Sequence, residues 1–324
     1  MPTAARALAA GMRAVGLQET GGPEVLAVVE LPEREPGRGE VRIAVAGAAV
    51  NPTDTGLRAV PQMAPQDVPP PWVPGMDAAG VVDAVGEGVD LAVGHRVAAV
   101  VNPRRPQGGA YVERLVVPAA SVVRVPDDVD LLAASTLPMN GLTAVHALRS
   151  LGLPDQGTVA VTGAAGTLGA YVVALAHHAG HRVVADAKEG EEELVRSFGA
   201  DDVVPRGDGF ADAVRALVPG GADGLVDAAV TDDQHAAAVR DGGVVATVRG
   251  YDGGGRPDAR GVRYAPVMVF EHLEDTASLR ELVERVVDGT LVLRVAGTVP
   301  PERAADAHWR LEAGGQRGRV VITF

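Results

Sequence analysis

Three glycines spaced three residues apart stand in the segment VTGAAGTLGA (161–170), between two apolar stretches. A glycine inside an ordered element costs about 1 kcal/mol relative to alanine, so three of them in so short a segment require a physical reason. A tight turn is one reason, and a close approach of the backbone to a ligand is another. Where such a turn leads from a strand into a helix, free N–H groups and the helix dipole bind the pyrophosphate of a dinucleotide.

The spacing of this segment is Gly-x-x-Gly-x-x-Gly, which departs from the regular dinucleotide-binding pattern Gly-x-Gly-x-x-Gly at its second position. We expect Gly163 to form the turn, Gly166 to let the backbone approach a phosphate, and Gly169 to let the helix pack on the strand. A turn without a ligand is the alternative. The candidate cofactor-binding residues of the segment are Gly163, Ala164, Ala165, Gly166, Thr167 and Leu168.

Three charged residues further along the chain bear on the choice of cofactor. Asp186 ends the second apolar strand, where an acid holds the ribose hydroxyls of NAD. In NAD-dependent proteins, however, that acid stands one residue further along the strand. We therefore expect its side chain to point to the other face of the strand end. Lys188 and Arg206 stand where a basic residue binds the 2′-phosphate of NADP. We predict NADPH, with Arg206 as the larger contributor; NADH stays possible, and solvated loop charges are the alternative.

Asn51 and Asp54 are the candidate catalytic residues, in the segment AAVNPTD (48–54). The proline after Asn51 forces extended backbone there, and Asp54 follows three residues later, so both side chains can face one cleft. An Asx-type turn is the alternative interpretation. No residue of the sequence is a clear general acid, so we expect solvent to supply any proton that the reaction needs.

The elements that must position these residues differ along the chain. Short β-type runs separated by Pro and Gly precede Asp127, and strands alternate with helices from Thr158 onward. This alternation predicts a doubly wound parallel sheet, so the fold class is α/β with a mostly-β first domain. The predicted domains are a catalytic domain of 12–126 and 271–324, a dinucleotide-binding domain of 127–270, and an N-terminal extension of 1–11.

Composition limits the classes of function. The net charge is −13 and no long basic run occurs, which argues against nucleic acid and anionic membranes as partners. No apolar segment is long enough to span a bilayer, so we predict a cytoplasmic protein. The chain has no cysteine, and its His, Asp and Glu residues lack ligand spacing, so we predict no metal.

From Met12 onward, nearly the whole chain resembles the zinc-independent quinone oxidoreductase (zeta-crystallin-like) branch of the medium-chain dehydrogenase/reductase family. The resemblance rests on six segments: VNPTD (50–54), PGMDAAGVVDAVGEGV (74–89), GGAYVE (108–113), LPMNGLTAVHAL (137–148), VTGAAGTLG (161–169) and GRVVITF (318–324). It implies a GroES-like catalytic domain and a Rossmann domain that binds NADPH. Met76 and Asp77 stand where zinc-dependent relatives carry the His and Glu of a Gly-His-Glu motif, so the resemblance also implies that zinc is absent.

Further site residues are carried over from the resemblance alone. Asn51 matches an asparagine near the nicotinamide, and the other matching positions contact the cofactor or line its nicotinamide pocket. These positions are Asn140, Thr143, Ala229, Val230, Val267, Met268 and Val269. We expect the substrate pocket to be lined by 51–72 and by the stretch near 264–270, both of them apolar.

The predicted function is NADPH-dependent transfer of hydride to a quinone or an activated C=C bond, with a small apolar carbonyl or quinone compound as substrate. One alternative is an enoyl or enone reductase of secondary metabolism, which the lack of a tyrosine shortly after Asp54 disfavours. A non-catalytic, crystallin-like NADPH-binding protein is the alternative from another class. The apolar strand 262–270 and the resemblance together predict a homodimer.

Overall fold

The computed structural model describes residues 11–255 and 259–324 of the chain. Two compact units divide it. The first unit ends at Pro138 and includes Val295–Phe324, and the second unit is Met139–Arg294. The predicted N-terminal extension lies outside the described residues except for Gly11, which is the first residue of a strand. In the described part of the chain, no helix is both long and apolar enough to cross a bilayer.

The strands, in chain order, are β1 (Gly11–Gly16), β2 (Ala27–Pro32), β3 (Glu40–Ala49), β4 (Asp77–Val85), β5 (Arg96–Val100), β6 (Arg114–Pro118), β7 (Val122–Arg124), β8 (Thr158–Thr162), β9 (Arg182–Ala187), β10 (Asp202–Pro205), β11 (Ala222–Asp227), β12 (Val239–Val248), β13 (Arg263–Val267), β14 (Val295–Val299) and β15 (Arg319–Thr323). The α-helices are α1 (Pro52–Ala59), α2 (Leu131–Ala134), α3 (Pro138–Leu151), α4 (Thr167–His178), α5 (Glu192–Ser197), α6 (Phe210–Leu217), α7 (Thr276–Val287) and α8 (Ala304–Ala313).

A seven-stranded sheet forms most of the first unit. Its order is β14-β15-β3-β4-β5-β7, with β6 also paired to β3, and all of these pairs except β14 with β15 are antiparallel. Along β3, Val41, Ile43 and Val45 are buried while the residues between them are partly exposed. This period of two directs one face of the strand to the core. The mostly-β first domain is confirmed.

The second unit contains a six-stranded sheet in the order β10-β9-β8-β11-β12-β13, and every pair in it is parallel. The central strand β8 is apolar and buried at Val159, Ala160 and Val161, as expected for a strand covered on both faces. The strand order reverses between β8 and β11, which is the topological switch point of such a sheet. The predicted α/β class with a doubly wound sheet is confirmed.

Along the chain, the boundaries between the two compact units lie at 138/139 and 294/295, whereas the predicted domain boundaries lie at 126/127 and 270/271. The helix α2 belongs to the first unit, where Leu132 packs beside Gly47 of β3. The helix α7 belongs to the second unit, because its N-cap residue Asp275 contacts His146 of α3. The division into a catalytic and a cofactor domain remains a prediction.

Candidate active site

The glycine-rich turn leads from the end of β8 into α4. Gly163 has φ +68°, a left-handed conformation that favours glycine, and a Cβ there would lie 2.9 Å from the carbonyl carbon of Ala228. A Cβ at Gly169 would collide with the carbonyl oxygen of Gly163. A Cβ at Gly166 would have only that same oxygen within 4 Å, at 3.1 Å. Gly163 and Gly169 are therefore required by the fold, whereas a Cβ at Gly166 would make one close contact.

The first turn of α4 presents groups suited to an anion. Gly166 occupies the N-cap and has no side chain to cap the N–H groups that follow it. Thr167, the first helical residue, is buried, and its hydroxyl has no hydrogen-bond partner among the described residues. A buried polar group without a partner is costly unless a ligand or water satisfies it. The turn therefore fits the pyrophosphate of a dinucleotide.

Arg294 adds a positive charge beside this turn. Its guanidinium donates to the carbonyl oxygens of Gly166, at 2.8 Å, and Ala165, at 3.2 Å. The same group lies 4.7 Å from the centre of the Phe198 ring. Sequence reasoning missed Arg294, since nothing in its local sequence marks a residue so distant along the chain as part of the turn.

Asp186 is buried near the end of β9 and lies against the glycine-rich turn. Its Oδ1 accepts the N–H of Ala164, at 2.9 Å, and its Oδ2 accepts Nε–H of Arg206, at 2.7 Å. The expectation that this side chain points to the other face of the strand end was therefore wrong. The register explains the difference, because Val161 of β8 pairs with Ala185, which brings the next residue of β9 beside the turn. Lys188 is exposed.

The remaining candidates of the second unit fall on the sheet edge and on α3. Because the sheet is parallel, the carboxyl ends of β8, β9, β11 and β13 lie along one edge. Ala229 and Val230 follow β11, and Val267 ends β13. Met268 and Val269 come directly after β13. Asn140 and Thr143 are buried on α3, where the Thr143 hydroxyl donates to the Met139 carbonyl, at 2.7 Å.

In the first unit, Asn51 and Asp54 belong to one buried network at the start of α1. The Asn51 N–H donates to Asp54 Oδ2, at 2.8 Å, and Asn51 Nδ2 donates to Asp77 Oδ2, also at 2.8 Å. Asn51, Asp54 and Asp77 are all fully buried. Asp77, the first residue of β4, thus orients the Asn51 amide, a role that the sequence did not reveal.

Tyr111 and His308 extend this network. The Tyr111 hydroxyl donates to Asp54 Oδ2, at 3.1 Å, and His308 Nε2 lies 3.3 Å from the same hydroxyl. Because the tyrosine proton points to Asp54, the Nε2–H of His308 is the group that donates to the tyrosine oxygen. Tyr111 lies in the segment GGAYVE, which supports the resemblance but gave this residue no role. No pattern in the sequence indicated His308.

Burial changes the proton affinities of these groups in opposite directions. It raises the pKa of Asp54 to about 7, against the hydrogen bonds from Asn51 and Tyr111, which lower it. It lowers the pKa of His308 to about 3, an effect that the charge of Arg58 reinforces. Asp54 therefore exchanges a proton near neutral pH while His308 stays neutral.

Comparison with known proteins assigns the chain to a family. Residues 37–127 match the alcohol dehydrogenase GroES-like domain, and residues 198–322 match the zinc-binding dehydrogenase family model. A 2-haloacrylate reductase of Burkholderia sp. is 30% identical over 329 residues, covering 94% of this chain and 97% of that protein. The chain belongs to the medium-chain dehydrogenase/reductase family.

Two further members of the family support this membership. An NADPH-dependent alkenal/one oxidoreductase from the chloroplast of Arabidopsis thaliana is 30% identical over 323 residues, covering 96% of this chain and 79% of that protein. The solved structure of a mycobacterial quinone oxidoreductase is 30% identical with a TM-score of 0.80, covering 97% of this chain and all of that one, 100%. The chain is an oxidoreductase of the quinone oxidoreductase branch, and the predicted family is confirmed.

Residues 198–322 match the zinc-binding dehydrogenase family, and proteins hold zinc with Cys, His, Asp and Glu side chains. The chain has no cysteine. Across 11–255 and 259–324, no group of three or more His, Asp or Glu side chains is arranged to hold a metal ion. Asp77, at the position of a family zinc motif, instead accepts from Asn51. The residues present do not fit zinc.

We expect purified protein to contain far less than one zinc ion per chain and to keep its activity after treatment with a chelator. Elemental analysis of the purified chain before and after chelation, with activity assayed in parallel, makes this measurement. Near-stoichiometric zinc that is lost together with activity would contradict the prediction.

The opposed pKa shifts of Asp54 and His308 predict a specific pH dependence of stability. Between the ordinary pKa of 3.8 and about 7, folded Asp54 holds a proton that the unfolded chain releases, so its contribution to stability falls as pH rises. Between about 3 and the ordinary pKa of 6.5, the unfolded chain protonates His308 and the folded one does not, so that contribution rises with pH. The two slopes largely cancel in the parent protein.

Asp54→Asn should remove the contribution of Asp54 to the pH dependence of the free energy of unfolding and leave that of His308. The free energy of unfolding of the variant is expected to rise with pH relative to the parent, by up to about 1.4 kcal/mol per pH unit between about pH 4 and 6.5. Urea denaturation at a series of pH values measures this slope. His308→Gln is the matched control, because it should give a slope of the opposite sign. Parallel pH profiles for the parent and both variants would refute the assignment.

Proposed function

We propose that this chain uses NADPH to transfer hydride to an uncharged quinone or to a C=C bond activated by a carbonyl group, without zinc. The observation that carries the proposal is the turn at the switch point of the parallel sheet. There Gly166 has no side chain to cover the start of α4, and the buried Thr167 hydroxyl lacks a partner among the described residues. The names of the related proteins, which include an NADPH-dependent oxidoreductase, support the same cofactor.

NADPH supplies the hydride when it is bound, and the chain binds it, orients it and excludes water. The N–H groups at the start of α4 and the Thr167 hydroxyl hold the pyrophosphate. Arg294 holds the turn in place by donating to the Ala165 and Gly166 carbonyls. Ala229, Val230 and the stretch 267–269 line the nicotinamide pocket.

The pairing of Asp186 with Arg206 supports NADPH over NADH. The carboxylate alone would repel a 2′-phosphate, but the Arg206 guanidinium offsets its charge at 2.7 Å. This ion pair uses Nε, and the Arg206 side chain is 31% exposed, which leaves its terminal N–H groups for a phosphate. Lys188, exposed after β9, adds a weaker attraction.

A cavity of about 590 Å³ in the first unit is our candidate for the acceptor pocket. It falls largely in the range 51–72 that the sequence suggested, and prolines and one indole ring dominate its wall. The lining residues are Thr20, Pro61, Ala64, Pro65, Gln66, Asp67, Val68, Pro69, Pro70 and Trp72. This wall contains an acidic residue and no basic one, so it suits an uncharged acceptor better than a carboxylate.

A panel of acceptors tests the proposal, with the absorbance of NADPH and then of NADH as the readout. It contains a naphthoquinone, an α,β-unsaturated ketone, 2-chloroacrylate and an enoyl thioester. We expect the quinone and the ketone to oxidise NADPH faster than the carboxylate and the thioester do. Turnover with the thioester or the ketone alone would favour the enoyl or enone reductase alternative. Tight NADPH binding without turnover of any acceptor would favour the non-catalytic alternative.

We also propose that the protein is a cytoplasmic homodimer, with β13 at the interface. This strand forms one edge of the six-stranded sheet, and an unpaired sheet edge is a common site of association. A cytoplasmic location is supported by the need for a supply of reduced nicotinamide cofactor. Light scattering at micromolar protein concentration is expected to give the mass of two chains, and a monomer mass would exclude the dimer.

A further inference from the structure

Thr162 and Asp227 stand side by side at the switch point of the second unit. They are the last residues of β8 and β11, which run parallel, and the register pairs them directly. Ligands of open parallel sheets bind outside the carboxyl ends of the strands at such a point. Asp227 therefore lies at the edge of the sheet where we have proposed that the cofactor binds.

Asp227 is buried, and its carboxylate accepts four hydrogen bonds. Oδ1 accepts from the hydroxyls of Thr162, at 2.7 Å, and Thr231, at 3.0 Å. Oδ2 accepts from the backbone N–H groups of Thr231, at 2.6 Å, and Asp232, at 2.8 Å. A carboxylate satisfies all four donors at once, because each of its oxygens carries two acceptor lone pairs.

These bonds hold a strained loop directly after β11. Val230 has φ +59° and Asp232 has φ +58°, and a left-handed conformation is a genuine outlier for a β-branched residue such as valine. Strained residues persist only where their surroundings fix them, and they cluster at ligand sites. Thr231, between the two strained residues, is fixed to Asp227 through both its N–H and its hydroxyl.

The loop after β11 also packs closely against the glycine-rich turn. The N–H of Ala229 donates to the Thr162 hydroxyl, at 3.3 Å. A Cβ at Gly163 would lie 2.9 Å from the carbonyl carbon of Ala228 and 3.0 Å from the nitrogen of Ala229. Val230 is 37% exposed, so the strained side chain is not needed to fill the core. The strained backbone of Val230 therefore fixes where the loop lies and does not bury the valine side chain.

We propose that Asp227 is a positioning residue, which holds the backbone of Ala229 and Val230 in the conformation that receives the nicotinamide half of NADPH. This inference rests on the proposed function. It differs from a general structural role, because it predicts that the adenosine half of the cofactor binds independently of Asp227.

Asp227→Asn tests the inference with two ligands, NADPH and 2′-phospho-ADP-ribose, which lacks the nicotinamide ring. The amide keeps the shape of the side chain, but with its oxygen facing the two backbone N–H groups its Nδ2 must donate to the Thr162 and Thr231 hydroxyls, which can then no longer donate to this side chain. Isothermal titration calorimetry is expected to show NADPH affinity falling about tenfold or more, with the affinity for 2′-phospho-ADP-ribose within about twofold of the parent. Equal losses for both ligands, or no loss for NADPH, would overturn the positioning role.

Asp223→Asn is the matched control, because Asp223 lies at the amino end of β11 and accepts the Thr158 N–H of β8, at 2.8 Å. We expect this variant to lose stability and to keep its affinity for both ligands. If Asp227→Asn does not fold, Thr162→Val removes the hydroxyl shared with Asp227 and should give the same selective loss to a smaller degree. A parent protein that binds neither ligand would instead contradict the proposed function.

Discussion

Gly166→Val is expected to abolish NADPH binding while leaving the fold nearly as stable as that of the parent. Gly166 has φ −73°, which any residue adopts, and a Cβ there would have only the Gly163 oxygen nearby, at 3.1 Å. The valine side chain would instead fill the space in which a phosphate meets the N–H groups of α4. Charge-assisted hydrogen bonds contribute about 1.5–3 kcal/mol each, so losing two weakens binding more than a hundredfold, roughly.

Gly169→Ala is the matched control for this variant, because it changes the same turn in the opposite way. Its Cβ would collide with backbone atoms of Gly163 and Ala164, so the fold itself should lose stability. Thermal denaturation and titration calorimetry of both variants separate the two effects. Unchanged NADPH affinity in Gly166→Val would reduce the segment to an ordinary strand-to-helix turn.

Arg206→Ala is expected to weaken NADPH binding by about tenfold to a hundredfold and to leave NADH binding equal or tighter. The substitution has two effects on a 2′-phosphate. It removes the guanidinium, and it leaves the buried carboxylate of Asp186 without its cation. Dissociation constants of NADPH and NADH for the parent and the variant measure this change in preference.

Two further variants distinguish these effects. Asp186→Asn combined with Arg206→Ala should recover part of the lost NADPH affinity, because the repulsive charge is gone. Arg196→Ala removes an exposed arginine that pairs with Glu193 on α5, and it should alter neither affinity. Equal or tighter binding of NADH than of NADPH by the parent would show that the ion pair does not select the phosphate.

The sequence predicted those parts of the molecule that depend on local patterns. The glycine spacing and the alternation of strands and helices each lie within short stretches, so they indicated the turn and the parallel sheet directly. The hydrogen bonds from Tyr111 to Asp54 and from His308 to Tyr111 join segments far apart in sequence, and no local pattern could indicate them. The same holds for Arg294, which lies 128 residues along the chain from Gly166.

Two expectations differed from the structure for reasons that can be named. The direction of Asp186 was inferred from its position along one strand, but the register with β8 decides which neighbour the side chain meets. The first domain boundary was predicted at 126/127, before the apolar residues of α2, whereas the structure places α2 in the first unit. Apolar spacing records which residues are buried and not the surface against which they pack.

The order of strands in the first unit has a consequence for biosynthesis. Its seven-stranded sheet includes β15 between β14 and β3, yet the ribosome makes β14 and β15 only after all of Met139–Arg294. The second unit is continuous in sequence, so it can fold during translation, whereas residues 47–49 of β3 must wait for β15. Closing so long a loop is entropically costly and slow, so nascent chains expose the β3 edge to chaperones and proteases for longest.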